Sequence, residues 1–271
     1  MHSVTGRLVI PSAAIMLGLL GNVPLAAQTD YYNTDAGRPI RVEDAYPVER
    51  RAFELQLAPL RLERARGVYN WGVEPEAAFG IFPRTHIEVG FPLMLIDAPG
   101  TRSSAGLAGV ELSMLHNLNV ETTIPALAIV ADVLLPAGGF GPDKAYPSVK
   151  GIATKTFTWM RFHANGQYTF GSEPASASSG AVHVSRWMAG LAADKTFPLR
   201  SLLVTGEIVA EQPIESTENV EWSAATGIRY QWSPRWAVDG GVGLRLNSNA
   251  RPWFVTFGSA YAFGLPWTPR R

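Results

Sequence analysis

The sequence predicts an all-β protein, a transmembrane antiparallel up-and-down β-barrel of about 12 strands. Apolar and polar residues alternate over runs of about ten residues, the length that a tilted strand needs to cross a bilayer. Short and long connections alternate along the chain, as in a barrel with tight turns at one end and loops at the other. The N-terminus has the pattern of a secretory signal peptide.

The composition narrows the possible classes of protein. Charged residues make up only 17%, below the roughly 25% of typical soluble domains. The mean hydropathy of +0.04 argues against a helical membrane protein. A net charge of zero removes the electrostatic case for nucleic-acid binding. The chain has no cysteine, which excludes disulfides, a thiolate nucleophile and a Cys-based zinc site.

The N-terminal residues predict export. Arg7 precedes an apolar stretch over residues 8–20, and NVPLAAQ follows, so we expect cleavage after Ala27. A short buried helix is the alternative interpretation. After Ala27 no apolar run approaches the ~18 residues of a spanning helix. We therefore expect a signal peptide at 1–27, a polar N-terminal extension at 28–50, the barrel at 51–264 and a short C-terminal tail at 265–271.

The alternation predicts the strands one by one. Residues 220–232, VEWSAATGIRYQW, put Trp222, Ile228 and Trp232 on one face and Glu221 and Arg229 on the other. The predicted strands are 52–64, 69–82, 86–96, 107–115, 122–135, 148–156, 160–170, 184–196, 202–211, 220–232, 236–246 and 253–263. An even number puts both termini at the tight-turn end, which is periplasmic in bacterial barrels.

Two of these strands need an argument beyond alternation. In RFHANGQYTFG (161–171), Asn165-Gly166 is a common hairpin turn. A turn there would leave only about six residues since the preceding one, against about ten elsewhere, so we predict one continuous strand. In the first strand, Arg61 and Glu63 fall on the apolar face unless a bulge near Pro59 shifts the alternation.

The connections support the same architecture. Tight turns are predicted at 82–85, 116–119, 156–159, 197–201 and 232–236, with centres 34, 41, 40 and 36 residues apart. Four of the five have a neighbouring aromatic residue, as expected for an aromatic girdle at the membrane interface. A propeller blade has a similar period, but it packs four short strands, whereas each period here holds two long ones.

Alternation alone does not say which face meets water, because a soluble β protein and a membrane barrel share it. Three features favour the membrane barrel. Aromatic residues concentrate near the strand ends, and the polar face carries single charges among Gly, Ala and Ser. The long polar loops lie at one end only.

A family resemblance adds to this prediction. The segments FELQLAPLRLERARG (53–67), AYPSVKGIATKTF (145–157) and WSPRWAVDGGVGLRL (232–246) resemble the outer-membrane transporters of the meta-pathway phenol degradation family. The strand WFVTFGSAYAFG (253–264) is similar to the C-terminal signal of bacterial outer-membrane barrels, although GLPWTPRR follows its Phe263. The resemblance covers most of residues 50–263 and implies transport without naming a substrate.

Fifteen polar residues are candidates to line the lumen. Acidic side chains outnumber basic ones among them. One hypothesis has them select passing solutes by charge and hydrogen bonding, and the other has them pair with one another and fill the barrel. They are Glu74, Glu76, His86, Glu88, Glu111, Asp132, Arg161, His163, Arg186, Asp194, Glu207, Glu221, Arg229, Asp239 and Arg245.

The resulting functional hypothesis is a narrow channel or transporter for small solutes, hydrophobic or aromatic ones among them. The alternatives are a membrane-embedded barrel enzyme acting on lipid and a closed structural barrel. His163 with Ser185 or Ser223 is a conceivable catalytic pair, but no G-x-S-x-G motif occurs, so we expect no enzyme. No His/carboxylate cluster has the spacing of a closed metal site, and no cofactor is expected. The expected partners are outer-membrane lipid, the insertion machinery and an unidentified solute, with no nucleic acid.

Overall fold

The computed structural model describes Thr34 and residues 37–65, 67–100, 102–173, 184–215, 219–248 and 252–264. The predicted signal peptide and the predicted C-terminal tail lie outside these residues. Every regular element among them is a β-strand. Within them, no helix has the length and apolar character that would let it cross a bilayer.

Fifteen strands form one antiparallel sheet, which closes because β15 pairs with β1. They are β1 (Ala52–Ala65), β2 (Val68–Val73), β3 (Glu76–Phe82), β4 (Thr85–Gly90), β5 (Leu93–Asp97), β6 (Ser104–Leu107), β7 (Val110–Asn117), β8 (Ala126–Leu135), β9 (Tyr146–Thr156), β10 (Arg161–Thr169), β11 (Ser185–Thr196), β12 (Leu202–Pro213), β13 (Glu221–Ser233), β14 (Trp236–Arg245) and β15 (Trp253–Gly264).

These fifteen strands occupy twelve positions around the barrel, because three positions are interrupted. β1 pairs with β3 over its first half and with β2 over its second, so β2 and β3 form one position. The pairs β4/β5 and β6/β7 are divided in the same way. The structure confirms the closed 12-stranded barrel and corrects the predictions of unbroken strands at 69–82, 86–96 and 107–115.

Proline and glycine explain the interruptions. Pro75 and Pro92 lie at two of them, and proline has no N–H to donate to a sheet ladder. Gly109 lies at the third with a φ of 124°, which side chains with a Cβ rarely adopt. Cross-strand bonds continue beside the breaks, since the Phe91 N–H donates to the Pro75 carbonyl at 3.1 Å and the Ala108 N–H to the Pro92 carbonyl at 2.7 Å.

The apolar face points outward and the polar face inward, as predicted for a membrane barrel. Leu191 in the middle of β11 is 61% exposed and Trp232 is 75% exposed, whereas His163 is 2% and Arg229 0% exposed. β10 runs without a turn at Asn165, as predicted from the spacing. A soluble protein with this arrangement would present a continuous apolar belt to water.

The predicted bulge in the first strand is also present. The register between β1 and β15 shifts between Leu57 and Leu60, so Arg61 pairs with Thr256 on the inward face. The Arg61 guanidinium lies 3.8 Å from the centroid of the Phe254 ring. The bulge therefore keeps a cation on the polar face of an otherwise alternating strand.

Four of the five predicted tight turns are short, and the fifth is longer than predicted. β7 ends at Asn117 and β8 begins at Ala126, so the connection is not a turn at 116–119. The Asn119 side chain donates to the Pro125 carbonyl at 2.8 Å and accepts the Leu127 N–H at 2.9 Å. These bonds close a compact loop at the start of β8. We call this end of the barrel the tight-turn end and the other the loop end.

The outward face allows a test of membrane embedding. Lysine in place of Leu191 would put a charge at mid-bilayer, and we expect it to lower the free energy of unfolding by about 2–4 kcal/mol. Leu199 is a matched control because it is 55% exposed but lies in the turn between β11 and β12. Leu199→Lys should cost about 0–1 kcal/mol. Urea unfolding in lipid vesicles measures both, and equal effects would contradict the assigned lipid face.

Candidate functional site

The described residues ahead of β1 lie mostly inside the barrel. We call Thr34 and residues 37–50 the lumen segment. Its residues Ile40, Val42 and Ala45 are at most 1% exposed, although they belong to no strand. It forms hydrogen bonds with side chains of β1, β4, β7, β9, β10, β12, β14 and β15. From the sequence we expected only a polar extension here, with no place in the barrel.

The first half of the lumen segment is basic and contacts acidic wall residues. The Arg38 guanidinium donates to Asp239 at 2.8 Å and to the amide oxygen of Gln56 at 2.6 and 3.2 Å. Arg41 donates to both carboxylate oxygens of Glu211, at 2.6 and 2.5 Å. Hydrogen bonds between ionised groups are among the stronger ones in proteins.

The second half is acidic and contacts basic wall residues. The Lys150 ammonium donates to the Glu43 carboxylate, and Arg161 lies 3.7 Å from Asp44. The backbone of Glu43 exchanges two hydrogen bonds with the Asn165 side chain, both at 2.9 Å. The order of charges along the segment therefore complements the charges on the wall around it.

A buried network holds the segment near the tight-turn end. Asp194 accepts from Arg161 at 2.9, 3.1 and 3.2 Å and lies 2.8 Å from His163 Nε2. His163 Nδ1 lies 3.0 Å from the Thr154 hydroxyl, which accepts the Ala45 N–H at 3.0 Å. A proton on Nε2 of neutral histidine satisfies every contact, since Thr154 then donates to Nδ1. Both ring nitrogens of His163 thus make contacts within the network that holds the segment.

The lumen segment is also anchored at the tight-turn end, through Tyr46 and Glu121. The Tyr46 hydroxyl donates to Glu121 at 3.0 Å, and burial together with this bond raises the pKa of Tyr46 to about 12. Burial raises the pKa of Glu121, but hydrogen bonds from Thr156 and Tyr46 outweigh it, so the pKa of Glu121 lies below its ordinary value. Lys155 lies 3.2 Å from the same carboxylate. Glu121 therefore remains an ionised anchor at neutral pH.

Glycines on the wall make room for the segment. A Cβ at Gly190 would lie 2.5 Å from Val42 Cγ2, and one at Gly227 would lie 2.6 Å from Pro39 Cβ. Real Cβ atoms do not approach other atoms so closely. The small residues that the sequence analysis noted on the polar face therefore coincide with the places where the lumen segment touches the wall.

A cavity of about 310 Å³ lies between the lumen segment and the loop end. Its polar lining includes the carboxylates Glu74, Glu111 and Asp132. Leu134, Tyr146 and Met188 give it an apolar side. The cavity thus offers hydrogen-bonding groups and an apolar surface in a volume suited to a small molecule.

The structure places the candidate residues in three groups. His86, Arg161, His163, Asp194, Glu207 and Asp239 contact the lumen segment or belong to the network that holds it. Glu74, Glu111 and Asp132 line the cavity, and Glu76 and Glu88 carry their side chains on the inward face of β3 and β4 near Gly90. The remaining four are Arg186, Glu221, Arg229 and Arg245.

These four pair within the wall. Arg245 bonds Glu221 at 2.6 Å near the loop end, and Arg229 lies 3.9 Å from Glu54. Arg186 donates to the carbonyls of Thr169 and Gly171 at 3.0 and 2.6 Å. A register shift between Ser185 and Trp187 accounts for this contact with the strand end.

Sequence reasoning missed several residues that hold the segment. They are Gln56, Lys150, Thr154, Glu211 and, within the segment, Arg38, Arg41, Glu43 and Asp44. Glu211 could have been found, because it shares the inward parity of Glu207 on one strand. In the part of the chain that the structure describes, no three His, Asp or Glu side chains form a group suited to a metal ion.

Comparisons with known proteins agree with this architecture. A family model described as the MetA-pathway of phenol degradation matches residues 64–263. No curated protein matches the chain. Among solved structures, an outer membrane channel from Pseudomonas putida F1 aligns with a TM-score of 0.55 at 11% identity, covering 81% of this chain and 98% of that one.

Two further solved structures are similar with lower scores. The KdgM porin aligns with a TM-score of 0.48 at 12% identity, over 78% of this chain and 99% of the porin. The beta domain of the Bordetella autotransporter BrkA aligns with a TM-score of 0.49 at 13% identity, over 78% of this chain and 98% of that chain.

Proposed function

We propose that this chain is a narrow outer-membrane channel for small solutes, aromatic molecules among them. The chain belongs to the family whose model is described as the MetA-pathway of phenol degradation. The observation that carries the proposal is the cavity of about 310 Å³ inside a closed membrane barrel. The fold shared with the Pseudomonas putida F1 outer membrane channel supports it. The aromatic solute class comes from the description of the family alone.

The number of strands supports a narrow path. Barrels of about eight strands are filled by side chains, and those of about 16–18 leave an aqueous channel. Twelve positions with a lumen segment inside them fall between these two cases, and the cavity of about 310 Å³ fits a narrow path. In this proposal, the inward charges around the cavity and the segment select the solute, and none of them acts as a catalyst.

The remaining assignments follow from the proposal of an exported barrel. Residues 1–27 would be removed during export, residues 28–50 would form the N-terminal extension whose described part lies in the lumen, and residues 51–264 would form the barrel, with 265–271 as a tail. Both barrel termini lie at the tight-turn end, which we place in the periplasm. The insertion machinery would recognise β15, with its alternating aromatic residues.

Narrowing the cavity tests the path. Gln167 lines it and donates to the Ser148 hydroxyl at 2.9 Å. Gln167→Trp should bring the uptake of labelled phenol, by cells of a porin-deficient host, down toward the rate of cells that lack the protein. The neighbouring residue Tyr168 faces lipid, with 48% exposure, so Tyr168→Trp is the matched control and should leave uptake unchanged. Uptake independent of the protein itself would contradict the proposed function.

A further inference from the structure

A guanidinium group occupies a carboxylate site on the inner wall. Glu207 and Glu211 lie on the inward face of β12 and are 8% and 4% exposed. Glu211 holds the Arg41 guanidinium through both oxygens, at 2.6 and 2.5 Å. One oxygen of Glu207 accepts the backbone N–H groups of Arg41 and Val42, both at 2.8 Å, and not the guanidinium. The wall thus binds a cation that belongs to the lumen segment.

The segment is attached to the wall by side-chain contacts rather than by a strand ladder. Its backbone N–H groups donate to the side chains of Glu207, Asn165, Thr154 and His86. Its apolar contacts with the wall form two small clusters, one of Ile40 and Val42 with Met188 and one of Ala45 and Tyr46 with side chains of β7, β8 and β9. Contacts of this kind can be exchanged for contacts with a free solute without unfolding the barrel.

The ionic contacts differ in what they leave behind when the segment moves. Arg161 keeps its bidentate partner Asp194 on the wall. Glu211 keeps the Ser185 hydroxyl at 2.6 Å, but it loses the guanidinium that the structure places on both its oxygens. A buried carboxylate that loses its cation is costly. A soluble cation that binds there would stabilise the barrel with the segment displaced.

We propose that Glu211, with Glu207 beside it on β12, forms a binding site for small guanidinium cations, that Arg41 occupies it in the closed channel, and that free guanidinium opens the channel by competing with Arg41. This inference rests on the proposed channel function. Guanidinium is favoured over ammonium because its planar fork matches both oxygens of a carboxylate. A ligand shifts such an equilibrium only if it binds the two states differently, and here the site is free in one state alone.

Removing the tethered cation is the first test. Arg41→Met keeps most of the side-chain length, and it should raise the mean current in planar bilayers by about tenfold, the effect expected for losing hydrogen bonds to charged groups. Arg41→Lys should give a smaller rise. Arg245→Met is the control, because Arg245 bonds Glu221 at 2.6 Å on the wall; its current should match the wild type. Should Arg41→Met fail to fold, Glu211→Gln is the second variant, with the same expected rise.

Competition is the second test. Replacing part of the sodium chloride with guanidinium chloride, at constant ionic strength and far below denaturing concentrations, should raise the wild-type current and leave Arg41→Met unchanged. The inference would be overturned if guanidinium left the wild-type current unchanged and the Arg41→Met variant carried the same current as the wild type. A variant without residues 28–45 then distinguishes the channel function from the guanidinium site. If this variant conducts, the channel function stands and only the guanidinium site is wrong. If it is folded but does not conduct, the channel function itself is wrong.

Discussion

Removing residues 28–45 should increase the single-channel conductance on the order of tenfold, because this variant lacks most of the lumen segment and leaves a twelve-position barrel unfilled. The apolar contacts of Ile40 and Val42 and the ionic contacts of Arg38 and Arg41 disappear together. Planar-bilayer recording measures the change, and heat-modifiable migration on a gel shows that the variant is folded. A folded variant with wild-type conductance would show that the segment does not obstruct the path.

A reversible lock provides the control for this prediction. The chain has no cysteine, so a single introduced pair is unambiguous. Val42 and Gly190 are suited to it, since a Cβ at Gly190 would meet Val42 Cγ2 and a disulfide needs Cβ atoms about 3.5–4.5 Å apart. We expect Val42→Cys with Gly190→Cys to conduct less when oxidised than when reduced. Equal currents in both redox states would mean that ions pass without movement of the segment.

The barrel could be predicted because its signals are local. Each strand shows its faces within about ten residues, as when Arg229 and Tyr230 alternate inward and outward. The bulge near Pro59 was predictable for the same reason, since only a shift of register puts Arg61 on the polar face. The interruptions at Pro75 and Pro92 were missed because the alternation continues on both sides of them.

The lumen segment could not be predicted in this way, because its partners are distant in sequence. Arg41 bonds Glu211 across 170 residues, and Arg38 bonds Asp239 across 201. The segment has no strand or helix periodicity of its own. Its charges therefore had the composition of an exposed polar extension, and only the closed barrel shows that Arg38, Arg41, Glu43 and Asp44 face opposite charges. The interpretation of His163 changes for the same reason, from a possible base to a residue that supports the lumen segment.

Among the contacts in the lumen, the network around His163 should contribute most to the free energy of unfolding. Asp194 is 3% exposed and bonds both Arg161 and His163. Asp194→Ala leaves the Arg161 guanidinium buried without its bidentate partner, and removing one member of a buried ion pair costs about 3–5 kcal/mol. We expect a decrease of that size in the free energy of unfolding, measured by urea titration in lipid vesicles. Asp97→Ala is the matched control, because Asp97 is exposed and bonds only Ser103 among the described side chains, at 2.9 Å.

A double variant distinguishes the ion pair from simple loss of packing. Replacing Arg161 and Asp194 together by Met and Leu removes both charges and keeps much of the volume, an exchange that is often neutral for buried pairs. The double variant should therefore be more stable than Asp194→Ala, and the difference reflects the cost of burying the Arg161 guanidinium without Asp194. If the double variant is as unstable as the single one, the loss lies in the contacts of His163 with Asp194, and the pair with Arg161 contributes little. In either case conductance indicates whether the segment stays in place, because Thr154 connects His163 to Ala45.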